Sequence, residues 1–460
     1  MLEILKADIV VIGSGAGGAT VAKELSRVSK KKIVLLEKGS SPKRIGSELF
    51  ASQVYDKCAL FSKSKEGVVI YRAITLGGTT LVSCGNGVRS LENELEKLGI
   101  DLEDEYEEAE KELNIIPNPI ISKTSRAIIK ASNNIGINMV PTPKFFTPKN
   151  CTLCGRCVLG CRSMSKWSSL NDIEEAKKNG VKVVTNSDIQ KILSYKGRVI
   201  GARGKRRGRG LIVKAKLIIV CAGGLGTPVI LQNSGLEAGK RLFCDLLNVT
   251  YGISKEYSLL KEPTMSVVSD MNFFKEHGFI LSPFIDSFLV LLSLVPLGQD
   301  LKKKRLNWLL KRLREEDGSS IDKLDIGYPA KSFRRRKVVG IMTKIKDNNV
   351  GSVDKKGIIS KTVTEQDLQR LKKGALLAKK ILSGIGVDPK TMVVTKTRGA
   401  HPGGTAAIGD IVDTNLETKI KGLYVSDASV FPESAGLPPI LTIVALSKRL
   451  SKILINKELV

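Results

Sequence analysis

Residues 8–37 read DIVVIGSGAGGATVAKELSRVSKKKIVLLE, and their order decides the fold. The apolar run Ile9 to Ile12 meets Gly13, Gly15 and Gly18; a helical pattern follows, then a second apolar run that ends on Glu37. This predicts strand, tight turn, helix and strand. Gly13 permits the turn, Gly15 lets backbone approach a pyrophosphate, and Gly18 lets helix pack on strand, so that the helix N-terminus meets the phosphate charge. Glu37 is placed to accept ribose hydroxyls. A bare G-x-G-x-x-G is a common glycine turn, but strand, helix and acid at the expected spacing make this a dinucleotide site. The acid favours FAD or NAD over NADP, whose extra phosphate would need an arginine.

Working outward, 460 residues hold material for two or three domains and a large core. A composition of 42% hydrophobic and 26% charged residues is that of a globular protein. The net charge of +28 is unusual and favours an acidic partner or an anionic membrane face. Aromatic residues are only 5%, and no basic run is interleaved with rings, which excludes nucleic acid as the partner. The N-terminal MLEILKAD runs straight into the first strand and leaves no room for a signal peptide, which predicts a cytoplasmic protein. In that reducing setting the eight cysteines read as free thiols or ligands rather than disulfides.

Arg72 to Asn86, RAITLGGTTLVSCGN, suits a loop that passes close to something flat. Residues 91–113 form an acidic amphipathic stretch, expected to be a solvated helical face. Val181–Val184, Ile189–Leu193, Val199–Arg203, Leu211–Lys214 and Leu217–Val220 look like short strands. The last runs into Cys221-Ala-Gly-Gly-Leu-Gly-Thr-Pro and a helix through Gln232, a second place where backbone could meet a cofactor. Residues 246–390 have no such glycine pattern and read as a separate domain. Within it, Phe279 to Pro296 is strongly apolar but interrupted by Pro283 and Asp286, which indicates buried strands rather than a membrane span. LKKKRLNWLLKRLREE follows at 301–316, with Leu306, Leu309, Leu310 and Leu313 on one helical face and seven Lys or Arg residues around it. Two readings stand: a helix lying peripherally on the anionic cytoplasmic membrane face, or a core-facing helix with a solvated basic side.

The last 62 residues hold Gly399-Ala-His401-Pro-Gly-Gly-Thr-Ala-Ala-Ile-Gly and continue through GLYVSDASVFPESAGLPPILTIVALSKRL. His401, flanked by proline and glycines, sits in a loop; the other histidine, His277, has no such setting. Together with Leu76-Gly-Gly-Thr-Thr80, Ala222 to Pro228 and Asp427-Ala-Ser-Val, these segments resemble, in order, the glucose-methanol-choline (GMC) family of FAD-dependent oxidoreductases. The resemblance implies an α/β fold: a discontinuous Rossmann-like FAD-binding domain (1–90, 181–245 and 391–460) plus an α+β substrate domain on an antiparallel sheet (246–390). A helical segment (91–145) and a cysteine-rich insert (146–170) lie between. It further implies that Gly13, Gly15, Gly18 and Glu37 bind the adenosine half of FAD and that the Ile189 backbone meets the adenine. Gly77, Gly78 and Thr79 run beside the flavin, Asp427 and Ala428 return to it, and His401 takes the hydroxyl proton of a CH–OH substrate while hydride passes to the flavin.

Two positions depart from the family pattern. Pro438 stands where a second histidine or asparagine shares the substrate hydroxyl, and Ser83 stands where an asparagine is often found in the flavin loop. Either His401 works with another partner or the substrate is not a simple alcohol. The apolar run and basic stretch point to a lipid-like alcohol.

Cys151-x2-Cys154-x2-Cys157-x3-Cys161 has the spacing of an iron-sulfur run and is too tight for paired zinc knuckles. A four-iron four-sulfur cluster is expected there, with zinc or metal-free thiols as alternatives. Arg162 replaces the usual proline, so Cys58, Cys84, Cys221 or Cys244 could supply a remote ligand. A cluster would favour a dehydrogenase that passes electrons to an acidic carrier such as ferredoxin, or to a membrane carrier. The alternatives are a ferredoxin-driven reductase and a membrane-associated electron-transfer flavoprotein.

Overall fold

The structure is a computed structural model that describes residues 2–56, 62–286 and 337–460. Ile9–Ile12 and Ile33–Leu36 are buried at every position, as strands covered on both faces must be. They sit in a five-stranded parallel sheet ordered Leu423–Val425, Leu217–Val220, Ile9–Ile12, Ile33–Leu36, Lys182–Val184. The outermost strand on one side comes from the C-terminal end of the chain, so this layer is assembled from distant segments.

The helix Ala16–Val28 covers the sheet, flanked by Ser169–Lys178 and by Ile440–Asn456, which buries Leu441, Val444, Leu450 and Leu454. Each such leucine removed from water contributes about 1.5–3 kcal/mol. The approach needs glycine: a Cβ on Gly18 would stand 1.9 Å from the Gly13 oxygen, and one on Gly17 would stand 1.8 Å from the Ser426 oxygen. Gly13 itself turns at φ +103°, a conformation that L side chains avoid.

A second sheet runs Phe279–Pro283, Lys337–Ile345, Leu246–Ser254, Arg398–Gly399, Val69–Ile70, Ser62–Lys63. All its pairs are antiparallel except Arg398–Gly399 with Val69–Ile70. Strands from segments 1–90 and 391–460 thus hydrogen-bond into the sheet formed by 246–390. The helix Glu365–Gly384 packs on its outer face, where Gly374 admits the Thr343 side chain, and leaves the inner face to a cavity.

The predicted strands between 181 and 220 and the helix Gly223–Asn233 are present. The acidic stretch differs from expectation. Gly99, at φ +74°, separates the helix Glu92–Glu96 from Glu103–Glu112, and the acids are not simply solvated. Glu112 lies 2.7 Å from the buried Lys23 and 3.0 Å from Lys448, so this helix supplies counter-charge to the helices beneath it. Burial works against the Lys23 ammonium, but Asp172, Glu112 and Glu24 outweigh it and raise its pKa. Of the apolar run, Phe279–Pro283 is a buried strand; the remainder, the basic stretch 301–316 and Cys58 lie outside the described residues. Among the described residues no helix is long and apolar enough to cross a membrane.

Candidate active site

Between the two sheets lies a cavity of about 1270 Å³, larger than the ~300–1,000 Å³ typical of small-molecule pockets. One end is built by the N-terminal turn. Gly15 caps the helix Ala16–Val28 and has open space where a Cβ would stand, so backbone and the unpaired N–H groups of the first turn form a cradle open to the cavity. Glu37 is 6% exposed and borders the cavity. Its Oε2 accepts from the Ser14 N–H at 3.0 Å and hydroxyl at 2.6 Å, and its Oε1 from the Gly39 N–H at 2.6 Å. Burial raises its pKa, against these hydrogen bonds.

Ser14 also accepts from the Gly77 N–H at 3.0 Å, which ties the flavin loop to the first turn. Gly78 and Thr79 line the cavity, and the Thr79 hydroxyl accepts from Ala73 at 3.1 Å. Ile189 lines it from Ser187–Tyr195, beside a bulge between Ile189 and Lys191 that breaks the ladder locally. Asp427 closes the circuit: its Oδ2 accepts from the Gly223 N–H at 2.8 Å and the Thr227 hydroxyl at 2.6 Å, and its Oδ1 from Ser429 at 2.8 Å. Ala428 lies beside it on the same wall. Gly13, Gly15, Glu37, Gly78, Thr79, Ile189, Asp427 and Ala428 therefore border one cavity, while Gly18 packs behind the turn. A long cradle with a buried acid, open glycine backbone and a helix N-terminus suits a dinucleotide such as FAD.

His401 stands at the other end. The N–H groups of Ala400 and His401 both donate to the Cys244 carbonyl, at 2.8 and 3.0 Å, which fixes the loop after Arg398–Gly399. The His401 Nδ1 lies 2.7 Å from Oδ2 of Asp245, which is fully buried and held at φ +46°, an uncommon conformation that its surroundings enforce. The Ser434 hydroxyl and Gly436 N–H donate to the other Asp245 oxygen at 2.7 and 2.9 Å. Burial would raise the Asp245 pKa, but the hydrogen bond and charge of His401, aided by Lys344 and Ser434, lower it. Burial and then the charge of Lys344 lower that of His401, against the pull of Asp245. The pair at neutral pH is thus carboxylate and neutral imidazole, with Nδ1 donating and Nε2 left as the basic atom. The 26% of the side chain that remains accessible faces the cavity.

Pro438 also lines this end, and Ser83 donates to the Thr80 carbonyl of its own loop while its carbonyl and hydroxyl oxygens accept from Lys166. His277 lies elsewhere, stacked against Phe279 and 3.4 Å from Lys373. Sequence reasoning missed Asp245, Ser434 and Lys344. The available signals were an acid isolated within the apolar Phe243 to Leu247 run and a lysine beside Thr343 near the end of the mostly apolar strand Lys337–Ile345.

The cysteine run does not form the expected ligand cage. Among the described residues no three His, Cys, Asp or Glu side chains converge to hold a metal. Leu153 and Gly155 flank Cys154 with φ of +52° and +64°, and these turns leave Cys154 exposed while Cys151, Cys157 and Cys161 are half-buried. Cys221 and Cys244 are buried just outside the strands that frame the cavity, and among the described residues neither belongs to a group of three potential ligands.

Two family models match the chain, both described as GMC oxidoreductase, over residues 7–255 and 358–447. An uncharacterized protein of Methanocaldococcus jannaschii is 30% identical over 452 residues, which cover 96% of this chain and 98% of its own. A long-chain-alcohol oxidase of Arabidopsis thaliana is 23% identical over 505 residues, covering 95% of this chain and 66% of its own. Among solved structures, pyridoxine 4-oxidase from Mesorbium loti superposes with a TM-score of 0.68 at 16% identity, covering 98% and 99% of the two chains. Aspergillus oryzae formate oxidase superposes with a TM-score of 0.71 at 12% identity, covering 99% of each. The two matched regions contain both ends of the cavity, the glycine cradle and the histidine loop, and the chain belongs to the GMC oxidoreductase family of FAD-dependent oxidoreductases.

Proposed function

We propose that this protein is a dehydrogenase that oxidises a CH–OH group, with His401 as the base. The observation that carries the reading is the 2.7 Å contact of His401 Nδ1 with buried Asp245, which leaves Nε2 free to take a hydroxyl proton inside the cavity. Bound FAD supplies the two-electron hydride acceptor. Gly13, Gly15 and Glu37, with Gly18 packed behind them, would hold its adenosine half, Ile189 would meet the adenine, and Gly77, Gly78, Thr79, Asp427 and Ala428 would hold the flavin half. Asp245 positions His401 and keeps the tautomer. A well-placed base is worth ~10²–10⁴ in rate.

Leu225, Leu247, Met265, Phe284 and Met342 line the cavity and favour an apolar substrate, in keeping with the alcohol oxidases among the relatives. Anaerobic bleaching of the flavin by a panel of primary and secondary alcohols tests the reading. His401→Ala should retain FAD and lose bleaching; turnover that survives this change would sink the assignment.

A second reading concerns the electron exit. Cys151, Cys154, Cys157 and Cys161 would ligate a four-iron cluster once the loop closes on it, and the acceptor would be an acidic carrier recruited by the +28 charge. The supporting observation is electrostatic. Lys144 and Lys166 are buried, bond only to backbone carbonyls, Asn86 and Ser83, and have no carboxylate partner. The acidic groups acting on both are Cys157 and Cys84, so two ammoniums await negative charge at the thiols. Iron and acid-labile sulfide in anaerobically purified protein test it; their absence leaves structural thiols.

A further inference from the structure

Pro438 leaves the reacting oxygen without the second side chain that shares it, yet the cavity wall holds a polar group without a partner. Lys344 lies on Lys337–Ile345 directly opposite Leu247, and Leu247 lies opposite Arg398 on the next strand. Residues opposite one another across a ladder face the same side, and all three line the cavity. Thr343, one residue away, points to the other face and packs against Gly374. Asp245, two residues before Leu247 and just outside the strand, is close enough that its charge and that of Lys344 act on each other.

Lys344 is 1% exposed, and its Nζ is buried without a hydrogen bond among the described residues. The other buried lysines have acceptors: Lys23 and Lys448 bond glutamates, Lys144 and Lys166 bond carbonyls, and Lys361 bonds Asp347 and the Asn348 carbonyl. The carboxylates around it are also engaged, while Arg398 keeps Nε and Nη1 without a hydrogen bond among the described residues but has Asp286 as its counter-charge. Asp245 pairs with His401, and Asp286 accepts from Arg398 and Tyr251. A buried ammonium in the cavity wall, with three donors that no described residue satisfies, can be completed by a group that enters the cavity once its Nζ turns toward it.

We propose that Lys344 is a further catalytic residue, donating a hydrogen bond to the substrate oxygen whose proton passes to His401. This rests on the dehydrogenase reading. The O–H bond breaks toward His401 Nε2, the C–H electron pair and hydrogen leave as hydride for the flavin acceptor, and a C=O bond forms. Lys344 keeps its protons throughout and offsets negative charge on the oxygen as its proton departs. Its charge also keeps His401 neutral and ready to accept.

The titration of the site follows. Burial pushes Lys344 down to about 8, against the pull of Asp245 and Cys84, while burial and Lys344 lower His401 from its ordinary 6.5. Arg398 and Asp286 face the same space as an ion pair. Flavin reduction should rise as His401 loses its proton and fall as Lys344 loses its own near pH 8.

The test uses FAD-loaded wild type, Lys344→Met and Lys344→Gln, with two readouts. One is the pH profile of anaerobic flavin reduction by an alcohol; the other is binding of acetate, a stand-in for the oxyanion, read from the flavin spectrum at neutral pH. Lys344→Met should slow reduction about 100-fold or more, abolish the alkaline limb and weaken acetate at least tenfold. Lys344→Gln, which keeps a donor without charge, should recover part of the rate but not the limb. A flavin-bearing variant with wild-type rate, or with its alkaline limb and acetate affinity intact, overturns the proposal. If no alcohol reduces the wild-type flavin, the dehydrogenase reading fails, and acetate still decides whether Lys344 binds an oxyanion. If Lys344→Met does not hold FAD, Lys344→Gln carries the decision.

Discussion

The two ends of the cavity are built on different principles. At the nucleotide end, backbone does the work: glycines pack against carbonyls, and Glu37 is saturated by N–H and hydroxyl donors from Ser14 and Gly39. At the substrate end, side chains do the work. His401, Asp245 and Lys344 come from three separate segments and meet only because two strands and a loop are in register. A site made of backbone is intolerant of added atoms, whereas a site made of side chains is intolerant of lost charge. The teaching is that the first should fail by not forming and the second by forming without working.

The largest effect should therefore come from Gly13→Val. Its Cβ would stand 2.1 Å from the Cys221 oxygen, at a positive φ that valine cannot hold. Purified protein should lack visible flavin absorbance altogether. A Gly13→Val protein that kept its flavin would break the contrast at its stronger side.

Next come the two residues of the base. His401→Ala should keep the flavin while its reduction falls by ~10²–10⁴. Asp245→Asn should keep it too, yet reduction should fall by about 10²-fold or more, because an amide can donate to Nδ1 and trap the tautomer whose Nε2 carries the proton. The sign of the pH effect is fixed as well. Asp245 pulls the His401 pKa upward against burial and Lys344, so its loss should move the acid limb of the residual rate to lower pH. A limb that moves upward would show that something other than this carboxylate sets the imidazole.

A smaller effect is expected where the nucleotide end does use a side chain. Thr227→Val removes the 2.6 Å bond to Asp427 and the 3.1 Å bond accepted from the Ala222 N–H, but leaves the Gly223 N–H on the same Asp427 oxygen. A loss of about 1–3 kcal/mol, read as flavin released roughly tenfold faster or more, follows from hydrogen bonds of this kind.

The same contrast explains what was legible in the sequence. Gly13, Gly15, Gly18 and Glu37 could be read because their spacing encodes a local strand-turn-helix-strand, and the structure brings Gly13, Gly15 and Glu37 to the cavity with Gly18 behind them. His401 stood out because glycines and proline surround it. Asp245 lies 156 residues away from it in the chain, and nothing in its own neighbourhood announces the contact. Lys344 was hidden for a related reason: a strand buried on both faces gives no alternation from which to tell which side of the sheet its lysine takes. The cysteine run is the converse. Its spacing is strongly patterned, yet spacing alone does not bring side chains to a common point, and the turns at Leu153 and Gly155 leave Cys154 outside.

The acidic helix offers a test on stability alone, away from the cavity, and it separates charge that is buried from charge that is merely paired. Lys23 is 3% exposed and surrounded by Glu112, Glu24 and Asp172, so Lys23→Met removes the ammonium that these carboxylates share. Breaking a buried network of this kind leaves uncompensated charge and should cost about 3 kcal/mol or more. Arg27 contacts Glu112 and Glu175 at 2.9 and 2.6 Å, distances as short as that of Lys23, but it is 36% exposed and Glu175 is 41% exposed. Water and salt screen such a pair, so Arg27→Ala should cost only about 0–1 kcal/mol in denaturant unfolding, shrinking as salt is added. If Arg27→Ala proves as damaging as Lys23→Met, the helix is held by its ion-pair network as a whole rather than by its buried members. Its acidic surface would then be part of the fold rather than a counterweight to two lysines.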